Sequence, residues 1–290
     1  MRRRALLLAA PACLTVRAGA GTALPVVATF SILADMVREV GGPAVSVRSL
    51  VPPDGDPHVY EPRPSDLLAI RGAALVVTNG LGLEGWLDRL LPAAGTTAPV
   101  VVAAAGVAPR LLDQGVDPHA WQDPRNGMLY ARAIAAGLVA VAPDRAAEIR
   151  ARAEDYLRRI AETDAWIGQQ MATVPPAQRR ILTSHDAFYY FGARYGIEFI
   201  GVQGIDTESE PTAAGIAALL RQIRAEHISA VFVENMTGLQ LARTVARESG
   251  AALGPTVYSD ALSPPDGPAD TYLKMLRYNA GLFVRAMRGG

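Results

Sequence analysis

The chain reads as an α/β protein of two lobes, each a parallel β-sheet flanked by helices, joined by a long rigid helix. Three observations predict this. Short, fully apolar runs alternate with helical patterns through the first part of the chain, as strands covered on both faces by helices do. The same rhythm restarts at Ile181. Between the two halves lies a stretch, Met128 to about Met171, that is helical throughout except at Pro143. With 290 residues, 50% of them apolar, the chain is long enough for two such lobes with real cores.

Taken in order, Val26 to Phe30 is an apolar strand, followed by a helix with Ile32, Leu33, Met36, Val37 and Val40 on one face, stopped by Gly41-Gly42-Pro43. Val45 to Val51 is a second strand, Leu67 to Ile70 part of a short helix, Ala74 to Thr78 a third strand, Glu84 to Leu91 a helix and Val100 to Ala103 a fourth strand. Beyond Pro143, the residues Ile149, Ala153, Tyr156, Ile160, Thr163, Ile167 and Met171 recur at intervals of three and four among Arg, Glu and Asp. This is the pattern of one amphipathic helix longer than the globular average. Val174-Pro175-Pro176 ends it. Strands then fall at Ile181–Thr183, Ile197–Gly201, Ala230–Val233 and Thr256–Tyr258, and helices at Ala187–Tyr195, Thr212–Glu226, Leu239–Ser249 and Asp270–Met287. The expected division is 1–20 leader, 21–142 first lobe, 143–173 linking helix and 174–290 second lobe.

The leader has the form of an export signal: Arg2-Arg3-Arg4, an apolar stretch from Ala5 to Val16, and the small-residue cleavage pattern Ala18-Gly19-Ala20. A periplasmic protein follows from it. Cys13, the only cysteine, lies inside that leader. The mature chain therefore offers no disulfide and no thiolate ligand. Ala10-Pro11-Ala12 is a poor context for lipidation of Cys13, so no lipid anchor is expected. Lys+Arg and Asp+Glu balance at 28 each, with no basic excess to draw nucleic acid.

The chemistry gathers at histidines, of which there are four. Two sit in nearly the same phrase: Asp56-Pro57-His58-Val59-Tyr60-Glu61-Pro62 and Asp117-Pro118-His119-Ala120-Trp121-Gln122-Asp123-Pro124. Proline on either side stiffens both loops and holds an imidazole at little entropic cost. His185 follows the strand Ile181–Thr183, and Asp260 follows the strand Thr256–Tyr258, the position where parallel sheets build ligand sites. Alone, an Asp after a strand reads as a turn former or helix cap. Together, three imidazoles and a carboxylate, two groups from each half, suit a borderline divalent ion. Calcium or magnesium would call for oxygen ligands throughout. His227, at a helix end, reads as structural. Asp56, Glu61, Asp117, Asp123 and Asp186 are the nearby acids from which orienting partners would come.

These phrases, with Val27-Ala28-Thr29-Phe30-Ser31-Ile32, Ser184-His185-Asp186-Ala187-Phe188-Tyr189-Tyr190-Phe191, Gly204-Ile205-Asp206-Thr207-Glu208-Ser209-Glu210, Val231-Phe232-Val233-Glu234-Asn235 and Tyr258-Ser259-Asp260-Ala261-Leu262, resemble the zinc/manganese solute-binding proteins of bacterial ABC importers over essentially the whole mature chain. The resemblance implies a metal held between two lobes by His58, His119, His185 and Asp260, delivered to a membrane permease by a protein that is a monomer and not an enzyme. His185 stands where manganese receptors of this kind often have glutamate. Three imidazoles favour zinc over manganese in the Irving–Williams order. The histidine-rich loop common in dedicated zinc receptors is missing, which leaves manganese and iron as alternatives. A metal-dependent hydrolase, with Asp186 or Glu208 as base, is the competing reading.

Overall fold

The computed structural model describes residues 22–112, 115–201, 204–205, 207, 216–217, 220–221, 223, 230–236, 239–250 and 252–289. The leader, most of the helix expected at Thr212–Glu226, His227 and Glu208 lie outside the described residues.

The first sheet is built from β1 (Leu24–Ala28), β2 (Val45–Ser49), β3 (Leu75–Thr78) and β4 (Val100–Val102), all parallel, in the order β2-β1-β3-β4. Helices α1 (Ser31–Gly41), α2 (Pro64–Arg71) and α3 (Leu87–Ala94) join them. The helix expected from Glu84 starts only at Leu87, because the Glu84 carboxylate folds back onto the end of β3 and accepts the amides of Asn79 and Gly80. A short antiparallel hairpin, β5 (Leu111–Leu112) with β6 (Gly115–Val116), was not legible in the sequence, since two-residue strands carry no period.

Helix α4 (Pro124–Val141) begins at Asp123, whose side chain accepts the Arg125 amide, with Pro124 in the first turn where its missing N–H costs nothing. After the break at Pro143 comes α5 (Ala146–Ala172), the long helix. Its stripe of Ile149, Ala153, Tyr156, Ile160, Thr163, Ile167 and Met171 is buried, as the spacing predicts. Each large side chain on it contributes roughly 1.5–3 kcal/mol of burial. The stripe packs on α4, α1 and the C-terminal helix, so one core cluster runs through both halves of the molecule.

The second sheet contains β7 (Arg180–Thr183), β8 (Glu198–Gly201), β9 (Ala230–Val231) and β10 (Ala252–Leu253), parallel, in the order β10-β9-β7-β8. Helices α6 (Tyr189–Tyr195), α7 (Leu239–Ser249) and α8 (Tyr272–Met287) accompany it. The strand expected at Thr256–Tyr258 is a correction. Ala252–Leu253 makes the regular pairing, and only Val257 returns to the sheet, as a single bridge to Glu234. Pro255 lies between them and has no N–H for the ladder, so the pairing is split. No helix among the described residues is long and apolar enough to cross a membrane.

Candidate metal site

Numbered by order along the chain, the two sheets have the same plan. The first strand of each lies between the second and the third, and the crevice beyond the carboxyl ends of the first and third strands is the switch point where ligands bind. In the second sheet His185 follows β7 and Glu234 follows β9, so both lie at that crevice. In the first sheet the equivalent positions carry Thr29 and Asn79. His58 comes instead from the loop after β2, and His119 from the loop after β6.

The structure brings all four expected residues together. Their ligand atoms lie within 4.8 Å of one another, and all four residues are buried, His58 least so at 8% exposure. His58 Nε2 is 3.2 Å from His119 Nε2 and 3.1 Å from Asp260 Oδ2. His185 Nε2 is 3.3 Å from His119 Nε2 and 3.1 Å from Asp260 Oδ2, and His119 Nε2 is 3.6 Å from Asp260 Oδ2. Five of the six edges of the figure thus run from 3.1 to 3.6 Å, and the sixth, His58 to His185, is within 4.8 Å. In a regular tetrahedron, edges of about 3.1–3.6 Å would place the centre about 1.9–2.2 Å from each corner, the range of zinc–nitrogen and zinc–oxygen bonds. Asp260 Oδ1 is buried with no hydrogen-bond partner among the described residues. A buried carboxylate oxygen without a donor is costly unless a cation meets it.

The outer contacts fix which nitrogen points inward. His119 Nδ1 is 2.8 Å from Asp117 Oδ1, which also accepts the His119 amide. His185 Nδ1 is 2.6 Å from Glu234 Oε2, while Glu234 Oε1 accepts the His185 amide at 2.9 Å. Each Nε2 is thereby turned toward the common centre. Asp56 caps the His58 amide and, through its other oxygen, accepts the Thr207 hydroxyl of the second half at 2.6 Å. Of the acids named from the sequence, Asp117 and Asp56 thus engage the site. Asp123 caps α4 and pairs with Arg125, Glu61 is exposed, and Asp186 accepts the Gly201 amide. Glu234 was missed as an orienting partner. Its place after an apolar strand was the one signal available.

Burial opposes the proton on His119, but Asp260 and Asp117 outweigh it and hold the pKa at about 9. Burial likewise opposes the proton on His185, and Glu234 and Asp260 carry its pKa well above the ordinary value. Burial pushes Asp260 up, but His119 and His185 overcome it and bring the carboxyl well below the usual range. The cluster therefore favours the protonated imidazoles of His119 and His185 and the ionised carboxyl of Asp260.

Comparison with known proteins places the chain among metal-binding transport proteins. The manganese-binding lipoprotein MntA of Halalkalibacterium halodurans is 36% identical over 268 residues, 92% of this chain and 89% of that one. The iron-binding protein YfeA of Yersinia pestis is 30% identical over 256 residues, 87% and 82% of the two chains. The periplasmic zinc-binding protein TroA of Treponema pallidum superposes with a TM-score of 0.87 at 27% identity, covering 92% of this chain and 99% of that one. MntA is a lipoprotein by name, which stands against the expectation that Cys13 carries no lipid anchor. That expectation is withdrawn, and Cys13 itself lies outside the described residues. The family model described as zinc-uptake complex component A, periplasmic (ZnuA) matches residues 26–286, and the chain belongs to that family.

Proposed function

We propose that the protein is the exported substrate-binding component of a metal ABC importer, taking a divalent transition ion between its lobes and passing it to a membrane permease. The observation that carries this reading is the cage of His58, His119, His185 and Asp260, two residues from either half of the chain, converging on one point. We take 21–142 and 174–290 as the lobes, with 143–173 as the linking helix, and the working form as a monomer.

Zinc is the preferred cargo. Five of the cage's six edges suit a four-coordinate ion at about 2.0 Å, and nitrogen donors favour zinc over manganese and iron. The relatives divide by name among manganese, iron and zinc, so the ion is a property of this chain's own donor set. Three imidazoles and one carboxylate fill a tetrahedron and leave no open position for a substrate, which favours carriage over hydrolysis. Asp186, a base in the competing reading, has its Oδ1 on the Gly201 amide at 2.8 Å.

Elemental analysis of protein from its native compartment, with zinc and manganese competition on the metal-free form, tests the cargo. One zinc per chain is expected, displaced by a large excess of manganese only. His58→Ala and Asp260→Ala are each expected to lower zinc affinity more than 100-fold, beyond the 10–100-fold typical of outer contacts. Unchanged binding in both variants rejects the cage.

A further inference from the structure

Three of the four cage residues share a feature one position upstream: a side-chain N–H holds the carbonyl of the preceding residue. Pro57 O, before His58, accepts Trp86 Nε1 at 2.8 Å. Pro118 O, before His119, accepts Asn79 Nδ2 at 3.0 Å. Ser259 O, before Asp260, accepts Trp121 Nε1 at 2.9 Å and Gln122 Nε2 at 2.8 Å. All four donor residues are buried. They are indoles and carboxamides, which have no proton to lose and add no charge to the site.

The first two donors come from one segment between β3 and α3. Asn79 is held on every polar atom: its amide donates to Glu84, its carbonyl accepts the Ala104 amide, and its Oδ1 accepts the Tyr130 hydroxyl at 2.6 Å. This last bond turns Nδ2 toward Pro118. The turn that follows, Gly80-Leu81-Gly82, has positive φ at all three residues, and Leu81, at 57°, adopts a conformation that a non-glycine residue avoids. Proline already locks its own φ. Pinning its carbonyl as well fixes the peptide plane that leads into the histidine, and with it the position of the histidine Cα. The third pair acts between the halves: Trp121 and Gln122, just past His119, hold the backbone that carries Asp260.

We infer that Trp86, Asn79, Trp121 and Gln122 are positioning residues that set the size of the metal cage through the peptide plane before each coordinating residue, and so hold the site to a small tetrahedral ion. The inference rests on the transport reading above. Loosening any one of these contacts lets the cage expand, which weakens zinc more than manganese, an ion that accepts higher coordination.

Trp86→Phe keeps an aromatic ring beside Tyr60 and removes the N–H together with the five-membered ring of the indole. Gln122→Met replaces the carboxamide by a thioether of similar length, so the donor is lost with little change in volume. Zinc chloride and manganese chloride titrations of the full-length metal-free proteins should show zinc affinity about tenfold lower, the near end of the range for outer contacts, with manganese changed less. The cobalt(II)-loaded variants should lose intensity in the visible bands that mark a tetrahedral site. Melting of metal-free Gln122→Met should stay near that of the parent. If Trp86→Phe does not fold, Gln122→Met carries the same test. Zinc affinity within twofold of the parent with superimposable cobalt spectra overturns the inference, as does a lowered metal-free melting point with an unchanged zinc-to-manganese ratio. A parent protein that takes up no zinc overturns the transport reading along with it.

Discussion

The two lobes have the same strand order and use it differently. In the second lobe, the strands flanking the switch point carry the chemistry directly: His185 follows β7, Glu234 follows β9, and they meet at 2.6 Å. In the first lobe, the same crevice holds Thr29, Asn79 and the folded-back Glu84, a buried network with no residue of the cage in it. Both of that lobe's cage residues ride on proline-stiffened loops, held from behind by Trp86 and Asn79. A site on a strand end inherits its rigidity from the sheet. A site on a loop acquires rigidity from many separate contacts, and the loss of one is shared among the others.

The sharpest way to break this comparison is to remove the orienting carboxylate in each lobe. Glu234→Gln takes away the charge beside His185 and weakens the 2.6 Å ion-pair contact at its Nδ1, so zinc affinity should fall toward 100-fold, the far end of the range for such partners. Asp117→Asn should cost about tenfold or less, because the His119 loop keeps the Pro118 to Asn79 bond. Competition with a zinc chelator measures both. An Asp117→Asn loss equal to or larger than that of Glu234→Gln would erase the distinction between strand-borne and loop-borne ligands.

The next effect comes from both lobes together. In the metal-free protein His119 holds its proton up to about pH 9, and His185 also binds one more tightly than a free imidazole. An ion must displace these protons, so affinity should rise by about tenfold per pH unit for each proton released, up to about pH 9. Stability of the metal-free form runs the other way. A histidine with a raised folded pKa contributes stability that is fully present below its unfolded value of 6.5 and is lost as pH climbs through about 9. The gap in melting temperature between loaded and metal-free protein should therefore widen from pH 6.5 to 9. A gap that is flat across that window would mean the empty site carries no such protons.

The same contrast explains what the sequence disclosed. The D-P-H phrases were legible because candidate ligand, nearby acid and stiffening proline sit side by side; Asp117 is two residues from His119. Glu234 was not, because its partner His185 is 49 positions away and only strand pairing unites them. The long helix could be read from its stripe, since a period of three and four has one structural solution over so many residues. The β10 pairing could not: Ala252–Leu253 is too short to show alternation, while Thr256–Tyr258 looked more strand-like than Pro255 permits. Donors such as Trp86 and Gln122 gave no signal at all, because an indole or amide aimed at a backbone carbonyl looks, in sequence, like any other core residue.

The smallest expected effect tests where the lobes are held to each other. At the rim, Asn235 Nδ2 donates to Asp54 Oδ1 at 2.8 Å across the cleft, an exposed bond; deeper in, Trp121 and Gln122 donate to Ser259 O with every partner buried. Water competes for the first and is excluded from the second. Asn235→Ala should therefore shift zinc affinity by only two- to threefold, about 0.5 kcal/mol, the low end for a single hydrogen bond. Asp54 sits at a φ of 57°, which aspartate tolerates better than most residues, so losing its partner releases little strain. If Asn235→Ala instead lowers affinity tenfold or speeds zinc release to match, the rim is what keeps the lobes together, and the buried indole and amide contacts only orient Asp260 after closure.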